Sequence, residues 1–116
     1  MVSGIGAITR VIYKYLQQSD EIKAIIWKTG EEVVSVANAK GIPLKKQDIE
    51  NSMQAFINSV PNTTASMQRD MMEGKPSELE NFNGYIVDQG KQLGIETPTN
   101  AFIYHCLLPQ EMKARS

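Results

Sequence analysis

Apolar residues recur along this chain at helical spacing, and no convincing strand alternation competes with it. In SGIGAITRVIYKYL, residues Ile5, Ile8, Ile12 and Leu16 fall on one helical face, which predicts a first helix over this stretch. A second helix opens at Ser19, a good N-cap, with Asp20 and Glu21 in the first turn where the helix dipole favours acids. Its stripe runs through Ile22, Ile25, Ile26, Thr29, Val33, Val36 and Ala37, and it stops at Gly41-Ile42-Pro43, a left-handed cap followed by proline. Trp27 and Val34 lie off that stripe, so this helix is expected to bury a second face, against another helix or a partner.

Ile49, Met53, Phe56, Ile57 and Val60 give a third helix ending near Pro61, and Met67 and Met71 mark one side of a fourth over roughly 63–73. A fifth runs from Ser77 to about Leu93 and stops at Gly94-Ile95. Its stripe is Leu79, Phe82, Ile86 and Leu93, with Glu80, Asp88 and Lys91 opposite, and Ser77 with Glu80 has the spacing of a capping box. The sixth starts at Thr97-Pro98, a cap followed by proline at the first helical position, and carries Ala101, Phe102, Cys106 and Leu107. The polar tail after Pro109 is expected to fray. The expectation is an all-α fold, a compact bundle of about six helices forming a single domain over 1–116.

Composition narrows the function classes. With 12 basic and 13 acidic residues, the net charge of -1 offers no electrostatic footprint for nucleic acid or an anionic membrane. No run of apolar residues is long enough to span a bilayer. The single cysteine, Cys106, excludes an intrachain disulfide and fits a cytoplasmic setting. The single histidine, His105, excludes a zinc site of the usual Cys/His kind. His105 and Cys106 are adjacent on a helix and point about 100° apart, so they form no hydrogen-bonded pair; a surface histidine beside a buried cysteine is expected. The methionines at 53, 67, 71 and 72 read as core fillers. Gly4-Ile5-Gly6-Ala7 lacks the preceding strand and third glycine of a dinucleotide loop, so its small residues read as sites of close helix packing. Gly84, inside the fifth helix, calls for a neighbouring helix packed against its backbone.

Glu78 is the candidate for chemistry. The capping box accounts for Glu80 and leaves Glu78 free, at the edge of the stripe one turn before Phe82. Partial desolvation there raises a carboxyl pKa, while the helix N-terminus lowers it. An ordinary helix-start acid with its stem packed on Phe82 is the competing reading.

The series Ser66-Met67-x-x-Asp70-x-x-x-Gly74-x-x-Ser77-Glu78-Leu79-x-x-x-Asn83-Gly84, followed by Gly94-Ile95-x-Thr97-Pro98-x-Asn100, resembles the C-terminal domain of 2-dehydropantoate 2-reductase (ketopantoate reductase). SGIGAITRV and ANAKGIPL are similar to the opening of that domain, so the resemblance covers nearly the whole chain. It implies the helical fold shared with the C-terminal domain of 6-phosphogluconate dehydrogenase. It implies reduction of ketopantoate to pantoate with NADPH, on the route to pantothenate and coenzyme A, in the cleft between this domain and an N-terminal Rossmann domain. By the same resemblance, Glu78 falls on the family's catalytic glutamate and Ser66 on a serine that contacts the substrate carboxylate. Ser3 stands where many relatives place a substrate-binding asparagine. By the same resemblance the family's catalytic lysine is expected before residue 1, and no βαβ pattern is present, so the chain alone is not expected to bind NADPH or to turn over. Two alternatives remain: a free-standing helical module that self-associates, with a homodimer as its form, and the C-terminal domain of a related 2-keto acid reductase.

Overall fold

The computed structural model describes all residues, Met1–Ser116, and is built of seven α-helices with no strands: α1 (Ser3–Thr9), α2 (Tyr13–Gln17), α3 (Asp20–Ala39), α4 (Lys46–Ile57), α5 (Ser66–Met72), α6 (Asn83–Leu93) and α7 (Pro98–Arg115). A single 3₁₀ turn, Leu79–Asn81, precedes α6. The all-α expectation holds, with two of the expected helices divided. No helix is long and apolar enough to cross a membrane.

The first expected helix breaks at Arg10, whose backbone is left-handed (φ 59°, ψ 30°). A non-glycine residue there costs on the order of 1 kcal/mol. The break is held from outside: the Tyr13 and Lys14 amides donate to the Thr63 and Pro61 carbonyls, both at 2.9 Å, instead of to the preceding turn. The β-branched Thr9, Val11 and Ile12 lower the resistance to that break. The second expected helix is found as read. The Ser19 hydroxyl accepts from the Ile22 amide at 3.1 Å, and Gly41 closes the C-terminus at φ 82° with the Ile42 amide returning to the Ala37 carbonyl. Its second face is turned towards α4: Val34 borders a groove with Leu44 and Ile49, and Trp27 is partly buried. α4 ends at Ile57, short of Val60, which is 67% exposed.

Two clusters of buried side chains meet at α1. Ile5 packs with Leu16, Ile26 and Phe56, and Tyr13 meets the Phe56 ring edge-on at 5.1 Å between centroids. Ala7 packs with Met67, Met71, Leu79, Ile103 and Leu107. Fully burying a side chain such as Ile26 contributes roughly 1.5–3 kcal/mol. α1 can serve both clusters because its glycines let neighbours approach: a Cβ on Gly4 would stand 2.5 Å from Ile103 Cγ2 and 2.7 Å from Asn83 Oδ1. The close-packing reading of Gly4 therefore holds, and Gly84 does face a neighbouring helix, at the Tyr104 ring. Met67 and Met71 are core residues as expected, Met53 is partly buried, and Met72 is 55% exposed.

The fifth expected helix is also divided. Phe82 takes φ -105°, ψ -96°, which separates the 3₁₀ turn from α6 and shifts the register. The buried face of α6 is Asn83, Gly84, Val87 and Gly90, while Phe82 is 46% exposed. The Leu79–Phe82–Ile86–Leu93 stripe is thus not a continuous core face. On α7, Ile103, Leu107 and Glu111 form the inward line, and Phe102 and Cys106 face solvent. The buried-cysteine expectation fails because Cys106 is one residue out of phase with Leu107. The tail does not fray: α7 continues through Pro109 to Arg115. Pro109 sits on the exposed side, and the helix beyond it is anchored by Glu111, only 2% exposed.

Candidate functional site

The amino end of α1, the middle of α3, the turn before α6 and the start of α7 enclose a cleft of about 310 Å³. Met1, Val33, Phe82, Tyr85 and Ile86 form its apolar walls, and Ser3, Thr29, Asn81, Asn83 and Asn100 its polar surface, with Gly4 on the floor. No charged side chain lines it.

A single carboxylate outside the cleft organises that polar surface. Glu32 of α3 accepts the Thr99 amide at 2.9 Å, the Asn100 amide at 2.9 Å and the Asn100 side-chain amide at 2.8 Å. These amides belong to the first turn of α7, so Glu32 supplies the anionic cap that the helix dipole favours. The expected cap, Thr97, makes no side-chain cap hydrogen bond, although Pro98 does stand in the first turn. Asn100 passes the order on, accepting from the Asn83 side chain at 2.9 Å.

The segment carrying Glu78 is clasped to α7 at two points. The buried Glu111 carboxylate accepts the Ser77 amide at 2.5 and 3.0 Å on its two oxygens and the Ser77 hydroxyl at 3.1 Å. Arg115 adds a hydrogen bond to the Ser77 carbonyl at 3.2 Å. The Tyr104 hydroxyl donates to Glu80 at 2.7 Å. That hydrogen bond, with burial and the Glu80 charge behind it, pushes the Tyr104 phenol up to about 12. Ser77 and Glu80 therefore do not form a capping box. Ser77 turns inward to Glu111 while its hydroxyl accepts from the Leu79 amide at 3.2 Å, and Glu80 is spent on Tyr104.

Glu78 stands just before the 3₁₀ turn and is exposed, not desolvated at a stripe edge. Asn81 donates to its Oε2 at 2.5 Å, and Asn81 lines the cleft, so Glu78 adjoins the rim through that residue. Ser3, the first residue of α1, lines the cleft directly. Ser66, the first residue of α5, is exposed and is not among the lining residues. Within this chain, then, Ser3 lines the cleft, Glu78 is tied to it only through Asn81, and Ser66 is not among its lining residues. His105 is exposed. No group of three or more His, Cys, Asp or Glu side chains is placed to hold a metal ion.

Four residues of this site carry weight that the sequence reading did not assign: Asn81, Asn100, Glu32 and Glu111. A signal existed for Glu111, which continues the Ile103–Leu107 line at a spacing of four, where an acid on an apolar face calls for a buried partner. For Glu32 there was none, because its partners lie on a helix 67 and 68 residues away.

Comparison with known proteins gives a consistent family. The family model described as "Ketopantoate reductase PanE/ApbA C terminal" matches residues 1–111. The chain is 30% identical over 112 residues to the 2-dehydropantoate 2-reductase of Aquifex aeolicus, covering 93% of this chain and 36% of that protein. It is 30% identical over 84 residues to the enzyme of Vibrio cholerae, covering 72% of this chain and 28% of that protein. A PanE/ApbA family ketopantoate reductase from Ralstonia eutropha superposes with a TM-score of 0.86 at 29% identity, over 98% of this chain and 38% of that one. The dimeric ketopantoate reductase of Staphylococcus aureus shares the fold, with a TM-score of 0.91 at 21% identity over 97% of this chain and 39% of that one. The chain thus spans a little over a third of the length of the Aquifex and Ralstonia relatives.

Proposed function

The chain belongs to the ketopantoate reductase C-terminal family, and on that premise we propose that it is the substrate-side half of an NADPH-dependent 2-dehydropantoate 2-reductase. The observation that supports this is the cleft of about 310 Å³, lined by Ser3 and by Asn81, the residue that donates to Glu78. NADPH supplies the hydride that converts the 2-keto group of ketopantoate to the alcohol of pantoate. No charged side chain lines the cleft to meet a dinucleotide's phosphates, and the chain has no strand to begin a nucleotide-binding unit, so the cofactor is held by the N-terminal domain.

The residues of this chain bind and orient. Glu78, exposed beside the cleft-lining Asn81 that fixes one of its oxygens, is the carboxylate that takes the substrate's hydroxyl end. Ser3 lends a neutral hydroxyl to the wall of the cleft, and Ser66 meets the substrate carboxylate once the two domains close. Phe82 and Tyr85 exclude water from the bound ketone by covering one side. The proton that neutralises the developing alkoxide comes from a lysine outside this chain.

Hydride transfer requires cofactor, acid and substrate in one geometry. Joined to the N-terminal domain, the chain should oxidise NADPH in the presence of ketopantoate, followed at 340 nm, and alone it should not. An inactive two-domain protein, or turnover by the isolated 116-residue chain, contradicts the proposal. Replacing ketopantoate with other 2-keto acids in the same assay separates this enzyme from a related reductase. A homodimer is the expected assembly; sedimentation of the two-domain protein reads it directly.

A further inference from the structure

We propose that Asn83 Oδ1 is a fixed hydrogen-bond acceptor on the cleft floor, set by Glu32 through Asn100, and that it selects ligands bearing a hydroxyl over otherwise identical ligands without one. The proposal deepens the reductase reading and rests on the cleft being the substrate cleft.

The direction of this chain of contacts follows from donor and acceptor chemistry. Glu32 is anchored by two backbone donors, the Thr99 and Asn100 amides. One end of the Asn100 side chain lies 2.8 Å from the Glu32 carboxylate and 3.3 Å from the Thr29 carbonyl. Both of those groups only accept, so that end of Asn100 must be its NH₂. The other end is the carbonyl, which can only accept, and the group facing it at 2.9 Å must be the Asn83 NH₂. Asn83 is therefore locked with its own carbonyl turned away from Asn100. Asn100 is 2% exposed and Asn83 8%.

No protein group donates to Asn83 Oδ1. Among buried side-chain atoms without a partner only Gln68 Oε1 is sealed from solvent, so Asn83 Oδ1 opens to the cleft that Asn83 lines. Gly4 makes room for it: a Cβ there would stand 2.7 Å from this oxygen. An acceptor nine-tenths buried, locked in one orientation and left unpaired by the protein is a specificity element. A hydroxyl satisfies it, and a methyl group in the same place strips its water and gives nothing back.

The test pairs ketopantoate with 3,3-dimethyl-2-oxobutanoate, which keeps the carboxylate, ketone and branched carbon and replaces the hydroxymethyl with a methyl. Each is titrated into the ¹⁵N-labelled two-domain protein and followed at the Asn83 side-chain amide by NMR. Ketopantoate should bind roughly tenfold more tightly, the worth of one well-formed hydrogen bond to a buried acceptor, and should shift the Asn83 resonances. Asn83→Leu should reduce the preference to what the Glu78 contact alone sustains. Because that variant loses a buried hydrogen bond and can unfold, the orientation is also read on the unaltered chain, where the Asn83 NH₂ protons should show contacts to Asn100. Equal affinities, no binding of either compound, no response at Asn83, or NH₂ protons directed at Gly4 each overturn the proposal. Failure of the NADPH assay with the hydroxyl preference intact would remove the reductase reading and leave this one standing.

Discussion

Truncating Glu111 to alanine should unfasten the segment that carries Glu78. The carboxylate is 2% exposed and receives both the amide and the hydroxyl of Ser77, itself 7% exposed. Removing it leaves a buried N–H without an acceptor, at about 1–3 kcal/mol, and forfeits a hydroxyl bond to a charged group. Against this, a desolvated charge leaves the interior and alanine favours the helix by a few tenths of a kcal/mol. The Arg115 ion pair, at 3.7 Å and half in solvent, contributes little. The net loss should be about 2–3 kcal/mol. For a chain of 116 residues this lowers the thermal midpoint by about 8–12 °C, read by circular dichroism at 222 nm. Glu111→Gln, which keeps one acceptor, should fall between, and Arg115→Ala should cost under about 1 kcal/mol. Amide exchange at Ser77 should accelerate in Glu111→Ala well beyond that at Ile26. A loss below about 0.5 kcal/mol, or an Arg115→Ala effect as large as that of Glu111→Ala, would refute the clasp.

Other outcomes follow from the same contacts. The Tyr104 phenol holds its proton to about 12 in the folded chain against an ordinary value of 10.0. The folded state therefore binds more protons than the unfolded one across that window, and stability should fall as pH rises through it. Tyr104→Phe should flatten this alkaline loss in urea titrations, and the wild-type absorbance near 295 nm should show a late-titrating tyrosine. Gly4→Ala places a Cβ 2.5 Å from Ile103 Cγ2; it should cost about 1–3 kcal/mol of overpacking despite alanine's higher helix propensity, read as a lower urea midpoint.

What was legible in the sequence was what local chemistry decides. The Ser19 cap, the stops at Gly41 and Gly94 and the face holding Ile26 and Val36 depend on residues within a few positions of one another, and the structure keeps them. The breaks at Arg10 and Phe82 are imposed from a distance. One is held by the Thr63 and Pro61 carbonyls, and the other follows a turn clasped by Glu111 and Tyr104. Each break moves the phase of what comes next, which is why Phe82 lies exposed and the continuous stripe through it does not exist. The candidate site divides in the same way. Asn83 and Asn100 stood in the ordered motif, but their joint role requires Glu32, which only the packing of α3 on α7 brings to them. Ser3 reached the cleft through the close approach of α1 that Gly4 permits.

On the function proposed above, this helical chain supplies a reductase with its carboxylate, Glu78. The measurement that decides this is kcat/KM for ketopantoate in the two-domain enzyme carrying Glu78→Gln, beside Glu78→Ala. Because the residue is exposed and its side chain's one hydrogen bond is to Asn81, the substitution should leave thermal stability within about 0.5 kcal/mol, so lost activity cannot be ascribed to unfolding. The expected result is a fall of roughly a hundredfold or more, the scale of a positioned acid–base or orienting carboxylate. Near-normal kcat/KM in both variants would remove Glu78 from the reaction.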